Sequence, residues 1–509
     1  MIFYLFYLRF YGLLRSFHSL AMTRREILRN YWNPLKILRF CVESCDSYND
    51  YFLDLKQWNK SLKDSAKISQ KRRLDSMQSS NNTQPFSDLY KNALEIFYQI
   101  CKIPHKSGDT KALRTFLMDF LRKSDCVVKV DDAGNIHALK GSPTLALQAH
   151  YDMVLVGERV EPIIKDGFLQ SLDSSLGADN GVAVALILAL VQSRQNIEAL
   201  LTNDEEVGML GARNLGLKTQ SKVMINLDSE NLNEICVGCA GGFDADIALF
   251  ELDCMRDFRG SIDLANADFY RLQTPAFQGG HSGIDIHRNI PNAIVELLKA
   301  LESLGSVKFD IISLQGGENR NSIPINASAI IAVNKGEVVT LETLTISKIP
   351  NVASHLKPLS SEILPKLNAL RNGVYEMDNG SVLSSLNFSL IDTSLKLLVR
   401  ANRAEFLQWH KTHLKQLFGK SVKISGLYNA WEREDSAILG RLQEVYRRHN
   451  IAFDVIEIHA GLECGILKDK CDLSEVISIG PTILHPHSKG EKLDLDSFVK
   501  FCAILGEII

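Results

Sequence analysis

Residues 145–152, LALQAHYD, form a short apolar run that ends in a histidine and is followed closely by an aspartate. Three further runs have a similar form: IEALLT at 197–202, KVMIN at 222–226 and EVISIG at 475–480. Each run predicts a short buried strand with polar residues beyond its carboxyl end. Because ligands bind at that edge of open α/β sheets, we expect these polar residues to meet in one cleft.

Candidate metal ligands follow the apolar runs. Five segments of the chain supply them: His150, Asp179, Glu205 with Glu206, Asp228 and His487. Imidazole nitrogen and carboxylate oxygen together suit zinc and similar metals, and a catalytic site also leaves a position open for water. The set is therefore typical of a hydrolase with two divalent metal ions, most simply zinc, with manganese or cobalt as alternatives.

Asp179 differs from the other candidates in its position. It lies just before GVAVALILALVQ at 181–192, where the aspartate marks the beginning of a helix. A carboxylate at this point can bridge two cations. Asp179, Glu206 and Asp228 carry three negative charges, so two divalent cations nearly balance these ligands and one hydroxide.

Glu205 and Glu206 are adjacent, so one of them can face a metal while the other faces the cleft. We assign Glu206 as a ligand and Glu205 as the general base, which takes a proton from activated water and gives it to the leaving nitrogen. Asp152 stands two residues after His150. We expect it to accept the second ring N–H of that histidine and so to fix its tautomer.

The order of these motifs resembles that of a metal-dependent group of aminopeptidases, carboxypeptidases and aminoacylases, and most closely its aminoacyl-histidine dipeptidases. The resemblance extends from about Phe86 to the C-terminus and is carried by LQAHYDM, LGADNGVAVA, TNDEEVGMLGA, NLDSE, VGCAGG, QGGHSGIDIH, RNSIP, HAGLECGIL and IGPTILHPHS. It implies a cytoplasmic enzyme that hydrolyses the peptide bond of dipeptides by means of a metal-bridged hydroxide. It also implies a homodimer formed through an inserted lid domain.

The resemblance implies the same metal ligands and general base as the residue types do, with the bridging role at Asp179. It further implies three substrate-binding residues on the lid. His281 would help to stabilise the tetrahedral intermediate, either within its own chain or across the dimer. Asn321 and Arg400 would hold the carboxylate of the substrate.

Two of these assignments have competitors within the sequence. His485 and His487 are alternative ligands in the last motif, and His487 is preferred because the serine that follows it matches the family pattern. The turn after it, SKGEKLDL, departs from the Ser-Pro-Asp-Glu turn of relatives. Arg320 and Arg403 lie near the positions proposed for the carboxylate and compete with Arg400.

The predicted fold is α/β, with a doubly wound, mostly parallel sheet in the catalytic domain and a smaller α+β lid inserted into that domain. Strand and helix patterns alternate up to Asp228, whereas the pattern after VGCAGG is typical of an antiparallel unit. The predicted divisions are a catalytic domain at 85–240 and 428–509, a lid at 241–427 and an N-terminal extension at 1–76.

The chain has 509 residues and an almost balanced charge, with 57 Lys and Arg against 60 Asp and Glu, so nucleic acid is not expected as a partner. The N-terminal extension is the basic exception, with 14 Lys and Arg against 7 Asp and Glu in residues 1–76. Its apolar start is interrupted at Arg9, short of the ~20 residues that a spanning helix needs. We expect no stable membrane association and a translation start near Met77, with an interfacial anchor as the alternative.

Ten cysteines are scattered through the chain without the spacing of a small disulfide-bonded domain, which predicts reduced thiols in the cytoplasm. Cys236 and Cys239 form a Cys-x-x-Cys pair, but no second pair accompanies them, so we interpret them as part of a packed strand and turn.

Other functions fit the sequence less well. The nearest alternative is an N-acyl amino acid deacylase or a carboxypeptidase on the same scaffold. A non-catalytic protein that binds partners through the lid would be expected to lack a ligand or the base, and none is missing. A two-metal phosphoesterase would need a cluster of Arg or Lys for phosphate, which the metal motifs do not contain.

Overall fold

The computed structural model describes residues 84–250, 258–305, 307–350, 358–378 and 380–509. Gln84–Ile509 form one compact unit. The N-terminal extension predicted for 1–76, and the predicted start near Met77, lie outside the described residues. Within the described ranges, no helix combines the length and the apolar character that crossing a membrane requires.

The described part of the chain contains ten α-helices. They are α1 (Gln84–Ile100), α2 (Lys111–Lys123), α3 (Ala178–Ser193), α4 (Leu210–Arg213), α5 (Ala293–Glu302), α6 (Leu364–Asn368), α7 (Ala404–Phe418), α8 (Ala437–Arg448), α9 (Glu463–Cys471) and α10 (Leu495–Ile508).

The same residues contain 24 strands. In the first half of the chain these are β1 (Val127–Val130), β2 (Ile136–Lys140), β3 (Ala146–His150), β4 (Pro162–Lys165), β5 (Phe168–Ser171), β6 (Ile197–Thr202), β7 (Val223–Asn226), β8 (Glu234–Cys239) and β9 (Gly241–Ala248). The remainder are β10 (Ala267–Gln273), β11 (Gly280–His281), β12 (Phe309–Gly316), β13 (Ser322–Ile323), β14 (Ala327–Asn334), β15 (Thr345–Ile349), β16 (Leu359–Ser360), β17 (Gly373–Asp378), β18 (Ser381–Ile391), β19 (Ser394–Ala401), β20 (Val422–Tyr428), β21 (Asp454–Ile458), β22 (Glu475–Ser478), β23 (Ile483–Leu484) and β24 (Lys492–Asp494).

An eight-stranded mixed sheet has the order β1-β2-β6-β3-β7-β22-β8-β21. Its middle strands β6, β3, β7 and β22 run parallel, and so do β8 and β21. The β1–β2, β2–β6 and β8–β22 pairs are antiparallel. The four apolar runs that predicted buried strands correspond to β3, β6, β7 and β22, and the predicted α/β class is confirmed.

Helix α3 forms the centre of the core beside this sheet. Every residue from Ala178 to Val191 is buried, as expected for a helix that is apolar on all sides. Helix α1 packs against it so closely that a Cβ added to Gly181 would lie 3.0 Å from Cε2 of Phe97. The start of α3 is therefore held firmly in place, which fixes the polar residues that precede its apolar stretch.

A second sheet is antiparallel in every pairing. Its order is β15-β10-β14-β12-β18-β19-β9-β20, with β16 and β17 paired to β12 and β18. All of these strands come from residues 241–428, and they enclose a separate hydrophobic cluster that includes Phe243, Leu297 and Phe388. The eight-stranded sheet then receives β21. The division of the chain into a catalytic domain and a lid stays a prediction.

Two smaller sheets complete the fold. Strands β11 and β13 pair with each other, and β23, β24, β5 and β4 form a four-stranded sheet in that order. The second of these joins the C-terminal segment to residues 162–171. Its β23–β24 hairpin loop, residues 485–491, carries His487.

His410 on α7 is a buried titratable group remote in sequence from the predicted metal ligands. Its Nε2 lies 2.7 Å from Oγ of Ser384 on β18, and its ring centroid lies 4.6 Å from that of Tyr375. Its Nδ1 is buried and has no hydrogen-bond partner in the described part of the chain. Burial, with a contribution from the charge of His413, lowers the pKa of His410 to about 4.

We predict that His410 makes the protein less stable in mild acid. An unfolded histidine titrates near 6.5, so the unfolded state binds the proton more readily as pH falls from 6.5 towards 4. Between pH 7.5 and pH 5 the free energy of unfolding should fall by about 2 kcal/mol through this group alone. Urea unfolding at both pH values measures the loss, which should be smaller in His410→Phe.

The matched control is His413→Phe, which removes a partly exposed ring from the same helix. It should retain most of the acid-dependent loss of the wild-type protein, because burial is the larger cause of the lowered pKa of His410 and the charge of His413 the smaller. An equal loss in His410→Phe and the wild type would contradict the prediction.

Candidate metal centre

The carboxyl ends of three parallel strands bring four of the predicted site residues to one edge of the sheet. His150 is the last residue of β3, Glu205 and Glu206 follow β6, and Asp228 follows β7. Strands β6, β3 and β7 are adjacent, so their ends lie side by side. This is the arrangement that the apolar runs predicted.

Asp179 reaches the same edge from the first turn of α3. The residue that caps the helix is Gly177, whose φ of 71° lies in the left-handed region that favours glycine. A Cβ at this position would lie 2.9 Å from Sδ of Met153. The tight turn before the helix leaves Asp179 buried, with 7% of its surface exposed.

Asp179 presents one carboxylate oxygen to each of two histidines. Its Oδ1 lies 3.1 Å from Nε2 of His150, and its Oδ2 lies 3.1 Å from Nε2 of His487. Nε2 of His150 is also 3.2 Å from Oδ1 of Asp228, while Nε2 of His487 is 2.8 Å from Oε1 of Glu206. The structure therefore brings together the five residues predicted as ligands, as two groups that share Asp179.

Two oxygens of this cluster lack a hydrogen-bond donor. Oε1 of Glu206 and Oδ1 of Asp228 are buried, and neither has a hydrogen-bond partner among the described residues, although a histidine nitrogen lies near each of them. A buried carboxylate oxygen without a donor is destabilising, and a cation satisfies it. His150, Asp179 and Glu206 each offer one ligand atom within 4.8 Å of the others, so the donor set fits a zinc-like ion.

The carboxylates create a strongly negative potential at both imidazoles. Burial opposes protonation of His150, but the charge of Asp228 and hydrogen bonds to neighbouring carboxylates raise the pKa of His150 well above its usual value. The neighbouring carboxylates of Asp179 and Glu206 raise the pKa of His487 to about 11. The surroundings therefore favour positive charge at Nε2 of both rings, which is where a metal cation would bind.

Asp152 orders the loop after β6. Its Oδ1 accepts a hydrogen bond from the backbone N–H of Glu205 at 2.9 Å, and its Oδ2 accepts one from Oγ of Ser107 at 2.7 Å. Burial opposes ionisation of Asp152, but its hydrogen bonds hold its pKa below the usual range. Nδ1 of His150 lies 3.0 Å from the backbone oxygen of Asp152 and 3.5 Å from Oδ1. Nδ1 of His150 therefore faces both oxygens and lies closer to the carbonyl, and the predicted bond to the carboxylate stays a prediction.

Glu205 lies on the loop that Asp152 orders and is surrounded by negative charge. Burial raises the pKa of Glu205 well above its usual value, and the charges of Asp228 and Glu206 add to the increase, although His150 opposes it. Such a carboxylate binds a proton more readily than an exposed glutamate does. This property is needed in a group that receives a proton and later returns it.

The antiparallel sheets supply a second group of polar residues. Nδ1 of His281 accepts hydrogen bonds from the backbone N–H groups of Gly283 at 3.3 Å and Ile284 at 3.1 Å, so the ring proton lies on Nε2. Burial and the charge of Arg400 lower the pKa of His281 to about 4, with a further contribution from His487. His281 is therefore a neutral N–H donor near pH 7, and it lies close enough to the group of candidate metal ligands for the charge of His487 to act on it.

Arg400 lies beside His281 in a buried position. A Cβ added to Gly283 would lie 3.1 Å from Cε1 of His281 and 3.4 Å from Cζ of Arg400. Nη1 of Arg400 donates to Oγ of Ser282 at 2.8 Å, while its Nε has no hydrogen-bond partner among the residues described. Asn321 is exposed, and its backbone oxygen accepts from the N–H of Ser282 at 2.8 Å. The structure thus places all three predicted substrate-binding residues around one short segment.

The competing residues are engaged elsewhere or exposed. Nη2 of Arg320 lies 2.6 Å from Oδ1 of Asp246, and Nη1 of Arg403 lies 2.7 Å from Oε2 of Glu457. Both arginines therefore already have a carboxylate partner. His485 and His487 are both exposed, but within the described ranges only His487 contacts carboxylates, those of Asp179 and Glu206.

Two buried acids received no role in the sequence analysis. Glu463 is fully buried, and its Oε2 accepts from Nε2 of Gln148 and from Oγ1 of Thr202, both at 2.6 Å. Burial raises the pKa of Glu463 to about 7. Glu491 accepts hydrogen bonds from the backbone at the start of α3. Glu463 lies within the HAGLECG motif and Glu491 follows His487 by four residues, and these placements were the only signals available.

Comparisons with known proteins agree with this geometry. The model of peptidase family M28 matches residues 133–235. The cytosol non-specific dipeptidase of Escherichia coli (strain K12) is 30% identical over 473 residues, which covers 82% of this chain and 96% of that protein. The crystal structure of the aminoacylhistidine dipeptidase from Vibrio alginolyticus has a TM-score of 0.63 at 28% identity, and the match covers 82% of this chain and 96% of that one.

A more distant structure shares the fold. A tripeptidase from Staphylococcus aureus has a TM-score of 0.51 at 16% identity, over 82% of this chain and 97% of that one. The Escherichia coli relative is matched along almost its whole length, and it belongs to the family that the motifs of this chain resemble. The chain therefore belongs to the aminoacyl-histidine dipeptidase family, which includes the cytosol non-specific dipeptidase.

Proposed function

We propose that this chain is a cytoplasmic dipeptidase that uses two divalent metal ions, most simply zinc. The proposed ligands are His150, Asp179, Glu206, Asp228 and His487, with Asp179 as the bridge. Relatives that match most of the chain are named as dipeptidases, which supports the substrate class.

The shared carboxylate of Asp179 is the observation that carries this proposal. One oxygen faces His150 with Asp228, and the other faces His487 with Glu206. One ion would need only one of these groups, so the presence of both favours a pair. When bound, the two ions would polarise the peptide carbonyl and lower the pKa of a water molecule to about 7.

Glu205 is the proposed general base. It is adjacent to Glu206 in the chain, and its own backbone N–H is fixed by Asp152. Because its surroundings favour the protonated carboxyl, Glu205 can accept the proton of the attacking water and hold it. It then delivers that proton to the departing amine.

His281, Asn321 and Arg400 are the proposed substrate-binding residues. The Nε2–H of His281 can donate to the oxygen on which negative charge develops, a kind of contact worth roughly 3 kcal/mol in the transition state. Arg400 retains an unpaired buried Nε, and its guanidinium can grip a carboxylate with two parallel hydrogen bonds. Asn321 adds an exposed neutral donor next to the same segment.

We further propose that residues 241–427 act as a lid and dimerisation domain inserted into a doubly wound catalytic domain at 85–240 and 428–509. The sheet formed from residues 241–428 and its separate hydrophobic cluster support a distinct unit. A cytoplasmic location is supported by the name of the Escherichia coli relative and by seven cysteines of the described residues that are free and buried.

Adjacent substitutions separate the base from the ligand. Glu205→Gln should lower kcat for a dipeptide by roughly 10²- to 10⁴-fold, because the proton acceptor is lost while the metal ligands remain. Glu206→Gln should lose both turnover and metal. Steady-state kinetics and metal analysis of the purified variants measure the two effects, and wild-type turnover in Glu205→Gln would contradict the role of the base.

Substitution of Arg400 tests recognition of the substrate carboxylate. Arg400→Lys should raise KM for a dipeptide roughly 10- to 100-fold, because an ammonium cannot form two parallel hydrogen bonds with a carboxylate. The corresponding dipeptide amide, which has no carboxylate, should be affected much less. Arg403→Lys is the matched control because Arg403 already pairs with Glu457, and an equal effect of both substitutions would exclude a specific role for Arg400.

A substrate panel distinguishes the dipeptidase from the deacylase. We expect kcat/KM to be higher for unsubstituted dipeptides than for N-acylated amino acids with the same C-terminal residue. Removal of metal with a chelator should abolish hydrolysis, and added zinc should restore it. A preference for the acylated compounds would replace the proposed dipeptidase with a deacylase on the same scaffold.

A further inference from the structure

The hairpin loop between β23 and β24 makes two separate contacts with the beginning of α3. His487, in the middle of this loop, lies against Oδ2 of Asp179. Glu491, the last residue of the loop, lies immediately before β24. The loop is anchored on that side because β24 pairs with β5. The loop side of the contact is therefore anchored by the pairing of β24 with β5, and the other side lies at the beginning of α3.

The carboxylate of Glu491 accepts four backbone hydrogen bonds from consecutive residues. Oε2 accepts from the N–H groups of Leu176 at 2.8 Å and Gly177 at 3.1 Å. Oε1 accepts from Ala178 at 2.7 Å and from Asp179 at 3.3 Å. Only 2% of the surface of Glu491 is exposed, so solvent does not compete for these bonds.

These bonds satisfy the backbone N–H groups of the turn that leads into α3, where Asp179 and Asn180 depart from helical geometry. The first N–H groups of a helix have no partner within the helix, and a side chain at the N-cap commonly accepts one of them. The N-cap here is Gly177, which has no side chain to do so. Glu491 supplies the acceptor from a distant segment and binds the residue that bears the shared carboxylate.

We propose that Glu491 is a positioning residue of the metal centre, which sets the carboxylate of Asp179 between the two metal positions. By this arrangement a single loop supplies one ligand, His487, and aligns another, Asp179. This inference rests on the metal centre proposed above.

The alternative is that Glu491 only stabilises a helix end, and metal affinity separates the two possibilities. Glu491→Gln places an amide –NH₂ against two backbone N–H groups, so the turn before Asp179 should shift. Residues that orient metal ligands typically change metal affinity 10- to 100-fold when they are replaced. We therefore expect Glu491→Gln to bind zinc and cobalt 10- to 100-fold more weakly than the wild type, in titrations that need no turnover.

Glu198→Gln provides a matched control. Glu198 is also fully buried and also accepts backbone hydrogen bonds, from Gln220 at 2.6 Å and Ser221 at 2.9 Å. It lies near the beginning of β6, at the opposite end of that strand from Glu205. Its replacement should lower the unfolding temperature but leave the metal affinity unchanged.

The outcomes are distinguishable. Wild-type metal affinity in folded Glu491→Gln, or an equal loss in Glu198→Gln, would overturn the positioning role. If Glu491→Gln does not fold, Glu491→Asp keeps the charge but shortens the side chain, and it should weaken metal binding by a smaller factor; unchanged affinity would again refute the role. A wild-type protein that binds no metal would contradict the proposed centre itself rather than the role of Glu491.

Discussion

The sharing of the Asp179 carboxylate between two imidazoles is the constraint on which the rest of the centre depends. A carboxylate that rotated freely could not keep one oxygen beside His150 and the other beside His487. The fold prevents this rotation by burying α3 from its first turn and packing α1 against it. The geometry of the site therefore depends on the packing of the core, because a shift of α3 would move the carboxylate of Asp179 relative to both histidines.

The same arrangement concentrates negative charge where water is largely excluded. Asp179, Glu205 and Asp228 are all surrounded by other carboxylates, and burial raises the pKa of Asp228 to about 6. The fold offsets part of this repulsion with backbone N–H groups directed at neighbouring carboxylates, as at Asp152 and Glu491. Oε1 of Glu206 and Oδ1 of Asp228 remain without a hydrogen-bond partner among the described residues, and divalent cations would neutralise them. The proposed metal ions thus complete an electrostatic balance that the protein alone leaves open.

Sequence indicated the site wherever the signal was local. His150 and Asp228 stand at or just beyond the ends of apolar runs, and the direction of parallel strands brings such positions together. The arginine that would bind the substrate carboxylate could not be chosen from neighbouring residues in the sequence. The structure disfavours Arg403 because that residue already pairs with Glu457, which is distant in the chain. Glu491 was missed because its partners precede it by more than 300 residues, and only tertiary structure brings them together. Local pattern therefore predicts strand ends and ligand types, whereas the groups that position those ligands depend on non-local packing.

The proposed position of cleavage follows from the placement of the two proposed sites on different sheets. The proposed metal ligands lie mainly at the edge of the mixed sheet, whereas Arg400 belongs to the antiparallel sheet with its own hydrophobic cluster. A peptide held by its carboxylate at Arg400 can place only one bond at the metal centre. The carboxylate and the peptide bond to be cleaved would be held by groups on different sheets. The distance between these two groups, rather than the identity of the substrate side chains, would therefore determine which peptide bond is cleaved. A longer peptide held at the same carboxylate would present its own last bond in the same way, so a preference for dipeptides also requires the site to limit the residues that precede that bond.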